Sequence, residues 1–177
     1  MHEDMEIITI VLSGELTHED DLGSRGTLVP GDIQTMSAGR GIIHSEFNHG
    51  DTPVELFQLW IIPNIQGVSP AYNQAKYTLM PGEWCELVSP QSQPVGVLSI
   101  HAEASIFLGE FPANTNIPVL DIPSGFGVFI MVVEGEILSE DTVLGSRDAI
   151  EITTQWPGFM TKKPSKLLAI RVPLLYI

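Results

Sequence analysis

Basic residues are scarce in this chain. Its 177 residues hold 8 Lys and Arg against 22 Asp and Glu, a formal net charge of −14. A surface of that sign repels phosphate backbones and anionic headgroups, which disfavours direct nucleic-acid binding and anionic membrane surfaces, and neither partner is expected. Cysteine is almost absent: Cys85 stands alone, no intrachain disulfide can form, and the residue reads as a structural thiol in a reducing compartment, with a redox role the minor reading. No apolar run is long enough to span a bilayer. The start, Met1-His2-Glu3-Asp4, is acidic and lacks signal-peptide character, so a cytoplasmic protein is expected. Sustained helical periodicity is missing too. Gly39-Arg40-Gly41 is followed by no Lys-Ser/Thr and is no phosphate loop. No serine or cysteine lies in a nucleophile context, which leaves nucleophilic catalysis without support.

Short runs rich in Val, Ile, Thr and Phe alternate with turns rich in Gly, Pro, Asp and Ser, which predicts an all-β fold. Met5 to Leu12 is nearly continuous in apolar residues and suits a strand buried on both faces. Further strands are expected at Leu16 to Glu19, Thr27 to Val29, Ile33 to Met36, Ile42 to Phe47 and Val54 to Ile62. Strands this short and this closely spaced suggest a barrel or jelly roll. From Pro63 to Pro94 the composition shifts to Pro, Asn, Gln and Ser, with one irregular strand around Trp84 to Val88. Strands resume at Val95 to Ile100 and Ala104 to Phe111. The expected organisation is a first β-unit over 1–66, a connection over 67–94 and a second β-unit over 95–177.

The two units look like copies of one another. Val11-Leu12-Ser13-Gly14-Glu15-Leu16 is answered by Val132-Val133-Glu134-Gly135-Glu136-Ile137. Leu22-Gly23-Ser24-Arg25 is answered by Leu144-Gly145-Ser146-Arg147, and Gly31-Asp32-Ile33 loosely by Arg147-Asp148-Ala149-Ile150.

The chemistry concentrates in the first copy. His44 and Glu46 follow the glycine-rich turn Ala38-Gly39-Arg40-Gly41, and residues two apart on a strand share a face. An imidazole and a carboxylate aimed into one space make half of a mononuclear metal site, with His2 and Glu6 the upstream groups that could converge on it. Two histidines and a carboxylate with open positions suit iron(II) and oxygen chemistry, while imidazole also accepts Zn, Ni, Cu or Mn. The plainer alternative is that His44 and Glu46 only hydrogen-bond near a turn. His18, among Glu19, Asp20 and Asp21, reads as part of a solvated strand; His49 reads as a turn residue. His101-Ala102-Glu103 repeats the spacing without the glycine turn and reads as structural. The second copy lacks the glycine turn and the His-Ser-Glu element, so metal is expected only in the first.

Taken together, His2…Glu6…Gly14-Glu15, His18-x-Asp20, Leu22-Gly23, Pro30-Gly31-Asp32, Met36, Ala38-Gly39-x-Gly41-x-x-His44-Ser45-Glu46, Asn48, Gln58-Leu59-Trp60 and Pro70-x-Tyr72 resemble the pirin-like proteins. These form a bicupin branch of the cupin superfamily. The resemblance implies two cupin barrels, with metal, usually iron, in the N-terminal one on three histidines and a glutamate. His2 would match the second histidine of the family's His-Pro-His, and His44 and Glu46 the later pair, so the implied metal ligands are His2, His44 and Glu46. Glu6 would match a position that is not usually a ligand. The family's first histidine, and strands completing the first barrel, would fall before Met1. The first barrel is therefore expected to be incomplete, its metal more weakly held, and its exposed edge open to cover by a second copy in a homo-oligomer. The implied activity is quercetin 2,3-dioxygenase-like oxygenation of a flavonol, impaired by the missing ligand, with Glu46 doubling as a catalytic proton acceptor. The alternative is a non-enzymatic regulatory or redox-sensing protein.

Overall fold

The computed structural model describes residues 1–90 and 96–174, and every regular element among them is a β-strand. The chain divides into two compact units, one built from Met1–Tyr77 with Ser89–Glu103 and the other from Thr78–Val88 with Ala104–Ile177. The units are thus interleaved along the sequence. Of the stretch 67–94, one strand goes to each unit; residues 91–94, and the first residue of the strand expected at Val95 to Ile100, lie outside the described residues.

The first unit holds β1 (Glu6–Ser13), β2 (Leu16–Asp20), β3 (Arg25–Leu28), β4 (Asp32–Ser37), β5 (His44–Phe47), β6 (Glu55–Ile61), β7 (Ala71–Lys76) and the short β9 (Leu98–Ser99). One antiparallel sheet runs β6-β1-β4-β7 and a second runs β3-β2-β5. β1 lies between β6 and β4, and Ile7, Ile8, Thr9 and Ile10 are all buried, as the unbroken apolar run requires. Ile7 packs with Met36, Ala38 and Ile42; Val11 packs with Leu16 and Leu28. β7 is the outer strand, and its polar sequence suits an edge.

The second unit holds β8 (Trp84–Ser89), β10 (Ser105–Phe111), β11 (Phe126–Glu134), β12 (Glu136–Ser139), β13 (Thr142–Gly145), β14 (Ala149–Ile152), β15 (Met160–Thr161) and β16 (Ser165–Pro173). Its sheets run β14-β11-β16-β10-β8 and β13-β12-β15. Phe107, Phe111, Val128, Ile130, Val132, Ile137 and Leu167 belong to one core cluster, with Trp84 and Trp156 packed against it.

The duplication is visible in backbone detail. Gly14 and Gly135 both turn at positive φ, +74° and +95°, the first between β1 and β2 and the second between β11 and β12. A Cβ on Gly14 would stand 2.6 Å from the Pro53 carbonyl oxygen, and one on Gly135 would stand 2.3 Å from that of Pro164. The preceding strand is bulged at the same place in each copy, between Val11 and Ser13 and between Val132 and Glu134. Asp32 accepts from the Val29 N–H at 3.1 Å, and Asp148 from the Gly145 N–H at 2.9 Å, so this loosest sequence match is the same turn. The Leu-Gly-Ser-Arg match is different: Leu22-Gly23 lies in the turn between β2 and β3, whereas Leu144-Gly145 ends β13. That identity is of letters, not of place, because the β12–β13 hairpin is shorter than its counterpart.

Glu6, offered by the sequence as a possible site residue, is occupied elsewhere. It is buried in β1 and accepts a hydrogen bond from Ser37 Oγ at 2.8 Å. Burial raises its pKa, and Ser37 and the nearby His101 only partly offset this. The folded state therefore holds the Glu6 proton more tightly than the unfolded chain does. The stability this gives is complete below the ordinary carboxylate pKa and is lost as pH rises through the raised value. Glu6→Gln is expected to flatten that decline in urea midpoints measured from about pH 4 to pH 8; a variant that keeps the wild-type slope would assign the decline to another group.

Candidate metal centre

A two-stranded ribbon builds the site. In the β2–β5 ladder His18 lies opposite Glu46 and Asp20 opposite His44. Directly opposed residues share a face, as do residues two apart on one strand. Four groups from two short strands are thereby presented on one side.

His2 reaches the same place by a separate route. The turn Ala38 to Gly41 brings the chain into β5 with Gly39 and Gly41 at φ of +46° and +124°. The same turn grips the N-terminal segment. Asp4 N–H donates to Gly39 O at 2.9 Å, Ala38 N–H to Met5 O at 2.8 Å, and His2 and Ile42 exchange both backbone hydrogen bonds at 3.0 Å. His2 is thus tied beside the residues that lead into His44.

The rings form a column. Tyr72 stacks on His18 with centroids 4.6 Å apart, His18 on His44 at 5.4 Å and His44 on His2 at 5.1 Å; Trp60 meets His2 edge-on at 5.1 Å. Glu46 is held from one side: its Oε2 accepts from Gln58 Nε2 at 2.7 Å, and Gln58 Oε1 accepts from Trp60 Nε1–H at 3.1 Å. Three buried atoms of this face have no hydrogen-bond partner, His18 Nδ1, His44 Nδ1 and Glu46 Oε1. Unsatisfied buried acceptors of this kind carry a desolvation cost that a cation would relieve. Among the described residues, no three His, Cys, Asp or Glu side chains are grouped as closely as a bound ion requires.

The electrostatics favour lone pairs over protons. Burial lowers the His44 pKa; Glu46 opposes this, while His18, His2 and the N-terminal amine add to it. A neutral imidazole is the form that binds metal. Burial works against an ionised Asp20, but hydrogen bonds from His18, Ser24 and Leu22 outweigh it and hold that carboxyl below its ordinary range. Burial, with the charges of Asp20, Asp32 and Glu46, pushes Tyr72 up to about 12, so its hydroxyl stays protonated and donates to Gln74 at 3.1 Å.

The structure sets the His2 ring 5.1 Å from that of His44, places Glu46 two residues beyond His44 on β5, and sends Glu6 to Ser37. It corrects the reading of His18, which is wholly buried and not part of a solvated face. Of the acids around it, Glu19 points away to Arg25 at 3.1 Å and Asp21 accepts from the Ile43 N–H, while Asp20 is buried against the imidazole. The spacing His18-x-Asp20 carried that signal, since residues two apart share a face. Gln58 and Tyr72 had no role assigned by sequence, because their partners lie on strands distant along the chain. His49 is exposed and stacks on Phe47, and His101 is exposed, its carbonyl accepting from Asn64 N–H. Where the second unit repeats the ribbon, Leu138 pairs with Met160 and Ile137 with Thr161. Cys85 is half-buried, and burial raises its pKa, which keeps it a thiol.

Comparison with known proteins agrees with this architecture. A family model described as Pirin matches residues 1–61, and one described as the quercetinase C-terminal cupin domain matches residues 87–170. A putative quercetin 2,3-dioxygenase of Zymomonas mobilis is 36% identical over 84% of this chain and 63% of its own length. The quercetin 2,3-dioxygenase of Escherichia coli K12 is 33% identical over 85% of this chain and 64% of its own. The chain thus spans a little under two thirds of these relatives. The crystal structure of YhhW from Escherichia coli superposes with a TM-score of 0.91 at 29% identity, covering 99% of this chain and 75% of that one. A second structure, of the same bacterial pirin in complex with nickel(II), superposes with a TM-score of 0.88, also at 29% identity, over 98% of this chain and 75% of that one. By sequence and by fold, the chain belongs to the pirin family of cupin proteins.

Proposed function

We propose that the first unit binds one divalent transition metal on His2, His44 and Glu46, and that the protein oxygenates an electron-rich aromatic of the flavonol type. One observation carries the metal assignment: His44 Nδ1 and Glu46 Oε1 are buried without partners on one face, with the His2 ring 5.1 Å from that of His44. Neutral imidazole and carboxylate are donors that iron(II) accepts, as do nickel, zinc, copper and manganese. The relatives named quercetin 2,3-dioxygenase and the nickel complex of YhhW support the reading.

A bound ion of this kind supplies Lewis acidity, lowering the pKa of an oxygen donor placed on it. The rest falls to the protein. Gln58 fixes Glu46 through Oε2 and leaves Oε1 as the oxygen that would hold the ion; a substrate enol or catechol hydroxyl that displaced Oε1 would find there the acceptor for its proton. Trp60, 56% exposed and edge-on to His2, offers an apolar wall for an aromatic substrate. Glu46→Gln keeps the size of the side chain but loses both the proton acceptor and an anionic donor to the ion, and at metal occupancy matched to wild type is expected to lower kcat for quercetin about 100-fold or more. Aerobic consumption of quercetin by the iron(II)-loaded chain is the test. Full metal occupancy with no consumption would overturn the oxygenase reading and leave the centre as a redox-sensitive structural element of a regulatory protein.

A further inference from the structure

We infer that His18 is itself a metal donor in this chain, through Nδ1, giving the centre a third imidazole. The inference rests on the metal reading above and extends its donor set.

His18 is completely buried, and so is the Asp20 side chain that it meets: Nε2 lies 3.1 Å from Asp20 Oδ2. Asp20 is fixed in turn by the N–H groups of Leu22 at 3.0 Å and Ser24 at 2.8 Å, both donating to Oδ1. A carboxylate so placed accepts the Nε2 proton and assigns the tautomer. The lone pair is then on Nδ1, which is buried and has no partner. A histidine kept only for packing has no reason to bury an unsatisfied acceptor, at a cost of about 1–3 kcal/mol. The arrangement of a carboxylate, an imidazole and a free ring nitrogen is the one found behind metal-bound histidines, where the carboxylate orients the ring and raises its basicity.

The position fits as well. His18 is the ladder partner of Glu46 and stacks on His44, so its free nitrogen belongs to the same face as the other unpartnered donors. Tyr72 packs against the His18 ring, and the space it uses exists because Gly26 stands opposite His18 in the β2–β3 ladder. A Cβ there would stand 2.5 Å from the Tyr72 hydroxyl. Support by Asp20 and Tyr72 fixes the ring as a ligand needs to be fixed.

The test uses the intact chain labelled with 15N-histidine and titrated with zinc(II). Three histidines, His2, His18 and His44, should each show one ring nitrogen moving from free imidazole to metal-bound character, with Nδ1 the nitrogen that moves in His18. In parallel, His18→Gln should weaken nickel(II) binding about 10-fold or more in calorimetry, and Asp20→Asn should weaken it while leaving three histidines shifted. Movement confined to His2 and His44, or a folded His18→Gln variant with wild-type affinity, would overturn the inference and leave the proposed centre standing. Wild-type protein in which no histidine responds to zinc would overturn both. The wild-type spectrum decides the question even if the variant does not fold.

Discussion

His44→Ala is expected to abolish metal binding, with nickel(II) affinity at least about 100-fold weaker, while stability stays within about 1 kcal/mol of wild type. His44 is the middle ring of the column and the one that stacks on both other histidines. It shares its strand face with Glu46, two residues on. Removing it separates the remaining donors as well as subtracting one. The fold should tolerate the change because β5 is held to β2 by backbone pairing and the His44 side chain is only half-buried. Calorimetry with nickel(II), alongside circular dichroism, checks both parts. Unchanged affinity in a folded variant would show that the ion sits elsewhere.

Gly39→Ala is expected to cost about 3 kcal/mol or more, adding the strain of a left-handed residue to a backbone clash. Its φ is +46°, and a Cβ there would stand 2.1 Å from the Val68 carbonyl oxygen, which accepts the Arg40 N–H. That oxygen is backbone and cannot swing aside as a side chain would. The displaced turn also holds Asp4 and, through Ala38 and Ile42, the segment that bears His2. Metal affinity should therefore fall with stability. Gly41→Ala is the control. Gly41 also has positive φ, but its Cβ would approach nothing nearer than Met1 Sδ at 4.0 Å, so only dihedral strain applies. Urea midpoints should separate the two variants clearly. Equal losses would assign the cost to the dihedral alone and not to Val68.

Local patterns carried much of this structure. The unbroken apolar run of β1 marks a central strand because both its faces are covered, and the paired Gly14 and Gly135 mark the duplicated turn because only glycine fits there. His44 and Glu46 were legible as a pair because strand geometry alone fixes their common face. The division of residues 67–94 between two units was not legible. β7 reads Ala-Tyr-Asn-Gln-Ala-Lys and is a strand because the open edge of β4 pairs with it, a partner more than thirty residues back along the chain. The burial of His18 was hidden for a similar reason. Three acids follow it in sequence, and only the ladder to β5 and the packing of Tyr72 show that one of them faces inward with it. The Leu-Gly-Ser-Arg identity misled because letter matches ignore hairpin length.

If the unpartnered donors of the β2–β5 ribbon exist to hold an ion, the protein must carry one. Elemental analysis of the protein purified without added metal, then after incubation with iron(II) or nickel(II) and removal of excess, tests it most directly. The expected result is one divalent ion per chain, lost in His44→Ala. A wild-type protein that retains no metal under either condition would contradict it.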